Sequence, residues 1–379
     1  MLPYESKLKP KSTLIILSDV NSSPQLLTIM KCLKDEKCRF KVILIGSDGI
    51  RLEDDMASEG IDFLQLPPTS KYFSFKLFWK VFLEIVSGKP GVLYASGQFA
   101  SVIGIICGFL LRVPCRIFTR HHSHYHYKYK MWFGIFVDRL TNRMATNIVA
   151  VSSLVKDTLI KMDKVPEEKI SIIFNGINLQ EFLKVRSIRK KEISLCRDRR
   201  EVLQIGMIAR MTDWKGVEYG AMAFVEFVKT YPNAHLTVVG AFSDSYTKVS
   251  NILKVLPSKA FSLEESCSDI PEFLSNLDIF IHVPVGPIDE AFGIVYLEAL
   301  SVGTPSIFTI SGILHELPDL NKYVEIVPYR DANAILESML KLANQLNSNR
   351  FLVPTALLQI FSIDFMGRQY AEIIRRGEF

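Results

Sequence analysis

Two glutamates stand eight positions apart in the segment DEAFGIVYLEALSVGTP, residues 289–305: Glu290 and Glu298. Gly293 precedes an apolar run that a Gly-Thr-Pro sequence ends, which predicts a short helix opening at Gly293. The first backbone N–H groups of a helix have no partner inside it and the helix dipole is positive there, so this start could hold a phosphate. Glu290 precedes that site, and Glu298 would lie roughly 7 Å along the helix axis.

Carboxylates accept hydrogen bonds from hydroxyl groups, so this pattern suits a diphosphate that carries a polyol on each side. A nucleotide sugar has that chemistry, with Glu290 and Glu298 gripping the transferred sugar and the ribose. The alternative is a loop glutamate beside a solvated helix glutamate. A second segment favours the diphosphate: Arg210 follows the apolar run VLQIGMIA (202–209), and Lys215 comes five residues later. Arginine would bind a diphosphate as a planar fork and lysine as a point charge.

A third segment, TRHHSHYHYKYKMW (119–132), holds four of the seven histidines. His122, His124 and His126 alternate, and three histidines can bind catalytic zinc. No carboxylate lies nearby in the sequence to support such ligands, so we expect no metal. A solvated polar loop is the other interpretation, but it explains poorly a histidine pair directly after a strand.

Aromatic and cationic residues alternate in the rest of that segment, as they do at membrane interfaces. SFKLFWKVFLEIV (74–86) is a second candidate for an interfacial helix, with a core-facing amphipathic helix as its alternative. The net charge is +8 over residues 1–180 and −3 over the rest, which indicates an anionic partner for the first half. An anionic membrane surface and nucleic acid are both candidates, but the basic residues form no recognised nucleic-acid motif, so we expect no nucleic acid.

The chain has 379 residues, of which 48% are hydrophobic and 22% charged, and this composition is typical of a globular protein of two domains. Six cysteines are scattered without paired spacing, which favours reduced thiols in the cytoplasm. No signal peptide is visible at the start. The longest apolar run, Phe99–Leu111, is shorter than the roughly 20 residues that span a bilayer, so we expect a buried helix there.

Short apolar runs alternate with segments of helical spacing along the chain, which predicts an α/β fold with parallel sheets. The expected strands are 13–18, 41–46, 91–96, 115–119, 147–152 and 170–174, and then 202–209, 235–240, 278–283, 305–309 and 324–328. We therefore expect two tandem Rossmann-like domains facing across a cleft, with ligands at the carboxyl ends of the strands. The predicted divisions are an N-terminal Rossmann-like domain (1–182), a basic linker (183–200), a second Rossmann-like domain (201–352) and closing C-terminal helices (353–379).

The second half resembles the donor half of the family 4 glycosyltransferases, which have the GT-B fold. The resemblance rests on IGMIARMTDWKGVEYGAMAF, HLTVVG and IPEFLSNLDIFIHVPVGPIDEAFGIVYLEALSVGTPSIFT. VPCRIFTRHH, NIVAVSSLVKDTLI and ISIIFNGINLQEF are similar to the same family in the first half. The family is retaining and needs no metal, and the chain has no D-x-D pattern of the metal-dependent type.

The resemblance implies that the domain over 1–182 binds the acceptor and that the domain over 201–352 binds the nucleotide-sugar donor. It also implies a role for each candidate residue. Arg210 and Lys215 would bind the donor diphosphate, and Glu298 would hold the ribose. Glu290 would contact the sugar, helped by the backbone N–H groups of Phe292, Gly293 and Ile294. Thr119-Arg120-His121 matches the family's T-x-H spacing, so His121 would act beside Glu290 in catalysis, with His122 as the alternative position.

The chain departs from the family after its first strand, where SDVNSSPQ replaces a glycine-rich loop. Ser22 and Ser23 could still donate to a phosphate or an acceptor there. The expected function is transfer of a sugar from a nucleotide-diphosphate sugar, without a cofactor, to a glycolipid or lipid-linked saccharide. The expected setting is polysaccharide or lipopolysaccharide assembly, in the cytoplasm or peripherally on the cytosolic face of the membrane. The alternatives are a nucleotide-sugar epimerase and a catalytically silent sugar-nucleotide or membrane-binding module.

Overall fold

The computed structural model describes residues 12–18, 23–46, 51–67, 75–195, 202–345 and 351–377. They form two compact units. The first unit comprises the described residues up to Gly176 together with those from Ile363 onward. The second unit runs from Ile177 to Ser362. None of the described helices is long and apolar enough to cross a membrane.

The first unit is built on one parallel sheet in the order β3-β2-β1-β4-β5-β6-β7. Its strands are β1 (Thr13–Ser18), β2 (Phe40–Ile45), β3 (Phe63–Leu66), β4 (Val92–Ser96), β5 (Cys115–Arg120), β6 (Asn147–Ala150) and β7 (Ile170–Ile172). Its helices up to β7 are α1 (Pro24–Asp35), α2 (Arg51–Ser58), α3 (Phe75–Gly88), α4 (Gln98–Leu110), α5 (Tyr125–Lys128), α6 (Trp132–Met144) and α7 (Ser153–Lys161). The sequence predicted six of these strands and missed β3, a four-residue edge strand whose side chains are mostly half-buried.

The strand order of the first sheet reverses between β1 and β4, which are hydrogen-bonded neighbours. Such a switch point is where ligands bind in open parallel sheets. Gly97, directly after β4, has a φ of 98°, and a Cβ there would lie 2.2 Å from the carbonyl oxygen of Ser18 at the end of β1. A glycine is therefore needed for the two strand ends to meet this closely.

The second unit has a parallel sheet in the order β10-β9-β8-β11-β12-β13. Its strands are β8 (Gln204–Ile208), β9 (His235–Val239), β10 (Phe261–Glu264), β11 (Ile279–His282), β12 (Ser306–Phe308) and β13 (Glu325–Ile326). Its helices are α8 (Leu179–Leu195), α9 (Val217–Phe227), α10 (Tyr246–Leu253), α11 (Ile270–Asn276), α12 (Ile294–Val302), α13 (Ile313–Glu316), α14 (Ala332–Ala343) and α15 (Thr355–Leu358). The sequence missed β10, again an edge strand with little full burial. The order reverses between β8 and β11, which gives this unit its own switch point.

The predicted basic linker over 183–200 differs from the structure, because most of it lies in helix α8. This helix packs against α11 and α12 of the second unit. Arg186 is buried in it and donates to the carbonyl oxygen of Val353 at 2.8 Å. Long basic side chains can bury their aliphatic stems while one cation finds a carbonyl partner, so a basic composition did not exclude a packed helix.

The predicted closing helices over 353–379 also differ from the structure, because they belong to two different units. The last helix, α16 (Ile363–Arg376), packs against α1 of the first unit, and α15 stays in the second. The hydroxyl of Tyr370 on α16 lies 3.1 Å from Thr119 Oγ1, and Tyr94 lies 2.9 Å from the same atom. The C-terminal helix thus completes the core of the first sheet.

Candidate functional site

The carboxyl ends of β8 and β11 lie side by side at the switch point of the second sheet. Arg210 follows β8 and is exposed, and Lys215 ends a 3₁₀ turn over Asp213–Lys215. The next residue, Gly216, has a φ of 68°, and a Cβ there would lie 2.0 Å from the carbonyl oxygen of Val283. This close approach fixes the loop that carries Lys215 against the end of β11, where the other candidate residues begin.

Lys215, Glu290 and His282 form one cluster, in which Glu290 and His282 are buried and Lys215 is half-buried. Glu290 is 7% exposed, and its Oε1 accepts hydrogen bonds from Lys215 Nζ and from His282 Nε2, the latter at 2.9 Å. Burial raises the pKa of Glu290, but His282 and Lys215 outweigh it and lower the pKa to about 2. The carboxylate is therefore ionised at neutral pH, and its Oε2 has no partner among the described residues. Oε2 can therefore accept a hydrogen bond from a hydroxyl group of a ligand.

His282 was not predicted as a site residue. It is the last residue of β11, is 2% exposed, and burial lowers its pKa despite the hydrogen bond to Glu290. The only signal in the sequence is a histidine inside the otherwise apolar strand DIFIHV. A buried histidine needs a hydrogen-bond partner, but the sequence does not show which residue supplies it.

The loop between β11 and α12 is held from the other side by the loop after β12. The backbone N–H of Glu290 donates to Ser311 Oγ at 3.1 Å, and the hydroxyl of Ser311 donates to the carbonyl oxygen of Pro287 at 3.2 Å. The backbone N–H of Ile313 donates to the carbonyl oxygen of Phe292 at 2.8 Å. These bonds fix the position of Glu290 at the start of α12.

Helix α12 begins at Ile294 after Gly293, whose φ is 77°, and no side chain caps it. The backbone N–H groups of Gly293 and Ile294 donate to no described residue, so they are available to an anion at the positive end of the helix dipole. Phe292 is buried directly before them. The predicted helix start and its glycine are confirmed.

Glu298 lies one turn further along α12 and is half-buried in a helix that is otherwise apolar. It has no hydrogen bond or ion pair with a described residue, and burial raises its pKa to about 7. A half-buried carboxyl without a partner lowers stability when ionised, so its presence is easier to explain by a ligand than by folding.

The histidines of the first unit lie at the end of β5. His121 is exposed, and its Nε2 lies 3.3 Å from Ser96 Oγ at the end of β4. Loss of water on the side of the ring that faces the protein lowers the pKa of His121, and neighbouring His122 lowers it further, so the imidazole is neutral at pH 7. Ser23 caps α1, since its Oγ accepts from the N–H of Leu26 at 3.2 Å. Ser22 lies outside the described residues.

A buried carboxylate, Asp138 of α6, lies among these histidines, although we expected none near them. Its Oδ2 lies 2.7 Å from Arg120 Nη2, 2.6 Å from His126 Nδ1 and 3.4 Å from His122 Nε2. Burial raises the pKa of Asp138, but the hydrogen bond to His122 and the charge of Arg120 outweigh it and hold the pKa well below its usual range. The packing of α5 on α6 brings His126 to Asp138, a contact that the sequence does not show. Asp138 is the only acidic residue between Glu84 and Asp157, and that isolation was the available signal.

The ligand atoms of His122, His126 and Asp138 lie within 4.8 Å of one another, so the alternating histidines do converge partly. They converge on a single carboxylate oxygen that Arg120 also binds. This arrangement is a buried ion pair with two imidazole partners, and it ties the segment after β5 to α6.

Two family models match the chain: "Glycosyltransferase Family 4" over residues 25–181 and "Glycosyl transferases group 1" over residues 197–353. The capsular polysaccharide biosynthesis glycosyltransferase CapM of Staphylococcus aureus is 26% identical over 320 residues, which are 81% of this chain and 82% of that protein. The Escherichia coli UDP-Gal:alpha-D-GlcNAc-diphosphoundecaprenol alpha-1,3-galactosyltransferase is 23% identical over 284 residues, which are 67% of this chain and 69% of that protein. The crystal structure of Anabaena HepE in complex with UDP has a TM-score of 0.74 at 18% identity and covers 96% of this chain and all of that one (100%).

Proposed function

We propose that this chain, which belongs to the family 4 glycosyltransferases and has the GT-B fold, transfers a sugar from a nucleotide-diphosphate sugar to a hydroxyl of a glycolipid or lipid-linked saccharide. The transfer proceeds with retention at the anomeric carbon and without a metal. It serves the synthesis of a surface polysaccharide or lipopolysaccharide on the cytosolic face of the membrane.

The cluster at the start of α12 carries this proposal. Lys215 and the N–H groups of Gly293 and Ile294 supply positive potential where a diphosphate would lie. Glu290, ionised and fixed by His282, supplies an acceptor for sugar hydroxyls. Glu298 supplies a second, unpartnered acceptor one turn along the same helix. We call these residues the candidate donor site. They provide a cation, helix N–H groups and two carboxylates, which is the set that a sugar diphosphate with a ribose requires.

The names of related proteins support a nucleotide sugar as the donor. HepE was crystallised with UDP, and the E. coli relative is named for UDP-Gal. Arg210 is exposed beside the cluster and would pair with the donor diphosphate together with Lys215.

Retention follows in our proposal from a front-face displacement. The bond between the anomeric carbon and the leaving phosphate breaks while the acceptor oxygen bonds to the same face of the sugar. The leaving phosphate takes the acceptor's proton, so no carboxylate nucleophile is required. Asp138 does not suit that role, because it is buried and its Oδ2 is already bonded to Arg120. The neutral imidazole of His121 would hydrogen-bond the sugar or the phosphate.

A lipid acceptor is supported by an apolar surface on the first unit, which we call the apolar face. Helix α3 packs on α4, and α4 packs on α6. Their large exposed side chains include Trp132 at 78% and Phe75 at 72% exposure. The remaining members are Trp79, Leu83, Val86, Phe109, Leu110, Phe133 and Phe136. Large apolar side chains exposed in this number mark an interaction surface.

The chemistry of the apolar face favours a membrane. Helix α3 buries Leu77, Val81 and Ile85 against the unit, so it is a core helix whose other side is also apolar. Lys76 and Lys80 are exposed on α3, and Lys128 and Lys130 are exposed just before α6. Aromatic side chains flanked by lysines suit the headgroup region of an anionic bilayer. The E. coli relative is named for a diphosphoundecaprenol-linked sugar, which is such a lipid acceptor.

The candidate donor site is tested first by thermal shift of the purified protein with UDP, GDP, CDP and their common sugar conjugates, without added metal. We expect a selective rise in Tm for one nucleotide. If none of them raises the Tm, the candidate donor site is rejected, and the catalytically silent module becomes the preferred function. Incubation with the selected nucleotide sugar and analysis of the sugar then separates the alternatives: an epimerised sugar nucleotide would indicate the epimerase.

A further inference from the structure

A cavity of about 370 Å³ opens beside His121, at the carboxyl ends of β4 and β5. The turn after β4 and the first turns of α4 form one wall, the end of β5 forms the floor, and α6 forms the opposite wall. Its lining includes Gln98, Phe99, Ser101, Phe118, Arg120 and Asp138. The volume lies at the small end of the roughly 300–1,000 Å³ range of ligand pockets, which suits one small ligand.

Two polar groups in this cavity have unused hydrogen-bonding capacity. The hydroxyl of Ser101 has no hydrogen-bond partner among the described residues, and the residue is 6% exposed. Ser101 lines the cavity, so its hydroxyl is available to a ligand there. Asp138 directs Oδ2 at Arg120 and the histidines, while among the described residues its Oδ1 accepts a hydrogen bond only from the amide of Gln98, at 3.4 Å.

The charges around the cavity disfavour an anion. The guanidinium of Arg120 lies 2.7 Å from Asp138, which also lines the cavity, and 3.7 Å from Asp163. Arg120 is therefore already paired with carboxylates, and a phosphate in the cavity would meet the negative charge of Asp138. The neighbouring His121 is neutral and adds no positive charge. A neutral ligand with several hydroxyl groups matches the free hydroxyl and carboxylate oxygen, and the rings of Phe99 and Phe118 can cover its apolar side.

We propose that this cavity binds one neutral sugar residue of the acceptor, with Ser101 and Asp138 Oδ1 bonded to its hydroxyls and Gln98 at the entrance. The proposal rests on the proposed transferase function and adds the class of group that the first unit recognises. The helices that line the cavity, α4 and α6, also carry part of the apolar face. A lipid-linked acceptor can therefore place its sugar in the cavity while its lipid stays with the bilayer.

Ligand-observed saturation-transfer NMR on the full chain, without nucleotide, tests this proposal. The probes are the methyl glycosides of glucose, galactose, mannose, N-acetylglucosamine and N-acetylgalactosamine, with inorganic phosphate as a competitor. We expect at least one glycoside to bind and phosphate not to displace it. Ser101→Ala should weaken that binding about two- to tenfold, the usual effect of losing one neutral hydrogen bond.

Ser187→Ala is the matched control, since it removes an exposed serine hydroxyl in the second unit and should leave glycoside binding unchanged. If no glycoside binds at millimolar concentration, or if Ser101→Ala binds as tightly as the wild type, the cavity is not a sugar site. Displacement by phosphate would overturn the choice of a neutral ligand. Binding of UDP to the wild-type protein, read by thermal shift, shows separately whether the transferase proposal stands.

Discussion

The Nε2 of His282 lies 2.9 Å from Oε1 of Glu290, the same oxygen that accepts from Lys215. Both side chains are almost fully buried, and they come from opposite ends of the loop between β11 and α12. A buried carboxylate requires partners for its charge, and this histidine supplies one without adding a second full charge. His282 is therefore a positioning residue for Glu290, which would touch the donor.

Replacement of His282 by leucine should leave Glu290 with Lys215 alone and let its carboxylate turn. Loss of a hydrogen bond to a charged group costs about 1.5–3 kcal/mol. We therefore expect the rate of sugar transfer, measured as formation of nucleotide diphosphate, to fall about ten- to hundredfold. His282→Gln keeps a donor and should recover part of the rate. Equal rates for the leucine and glutamine variants would show that His282 only fills space.

Glu298→Gln should make the protein more stable at high pH. Folding raises the pKa of this carboxyl to about 7 from its ordinary 4.5, so the folded state binds more protons than the unfolded state between these values. Stability should fall as the pH rises through that window, and the loss should be complete above pH 7. We expect Glu298→Gln to match the wild-type Tm at pH 4.5 and to exceed it at pH 8. A wild-type Tm equal to that of the variant at both pH values would contradict the raised pKa.

The same substitution should weaken donor binding. An ionised Glu298 accepts hydrogen bonds from ribose hydroxyls better than an amide does, so the gain in stability comes with a loss of affinity for the nucleotide. Titration calorimetry with the nucleotide selected by thermal shift should show weaker binding to Glu298→Gln at pH 8 and a smaller difference at pH 6. Unchanged affinity at pH 8 would remove the ribose role. Glu226→Gln, on an exposed surface of the same unit, is the control.

His121→Ala should reduce sugar transfer more than donor binding. A neutral imidazole at the end of β5 can hydrogen-bond the sugar or the leaving phosphate in the transition state, and that contact adds little to ground-state affinity. We expect kcat for release of nucleotide diphosphate to fall while the Kd for the nucleotide stays within about twofold of the wild type. Wild-type turnover in the variant would reject His121 as a catalytic residue.

The apolar face should bind anionic vesicles in a salt-dependent manner. We expect cosedimentation with vesicles of phosphatidylglycerol and phosphatidylcholine at low salt, and less at high salt because the lysines are screened. Trp132→Ser with Phe133→Ser should reduce binding even at low salt, since both side chains lose their apolar contact with the bilayer. Val255→Ser is the control, because it removes an apolar side chain that is 71% exposed on the second unit. This variant should bind the vesicles as the wild type does. Absence of wild-type binding at low salt would favour a soluble acceptor.

The local features of the candidate donor site could be predicted from the sequence. The apolar runs predicted most of the strands, because buried parallel strands are apolar throughout and contrast with their polar ends. Gly293 and the Gly-Thr-Pro stop predicted helix α12, because only glycine adopts its backbone conformation easily and proline ends a helix. Glu290 and Glu298 are close in sequence, so their placement before and inside one helix followed directly.

Which polar side chains meet depends on helix packing that the sequence does not show. Asp138 joins His126 because α5, which carries His126, packs on α6. Helix packing also places α16 with the first unit, against α1, and buries Arg186 of α8 in the second. Composition and periodicity report whether a residue is buried, but a buried polar group finds its partner through packing. The partners of His282 and Asp138 therefore could not be read before the fold was known.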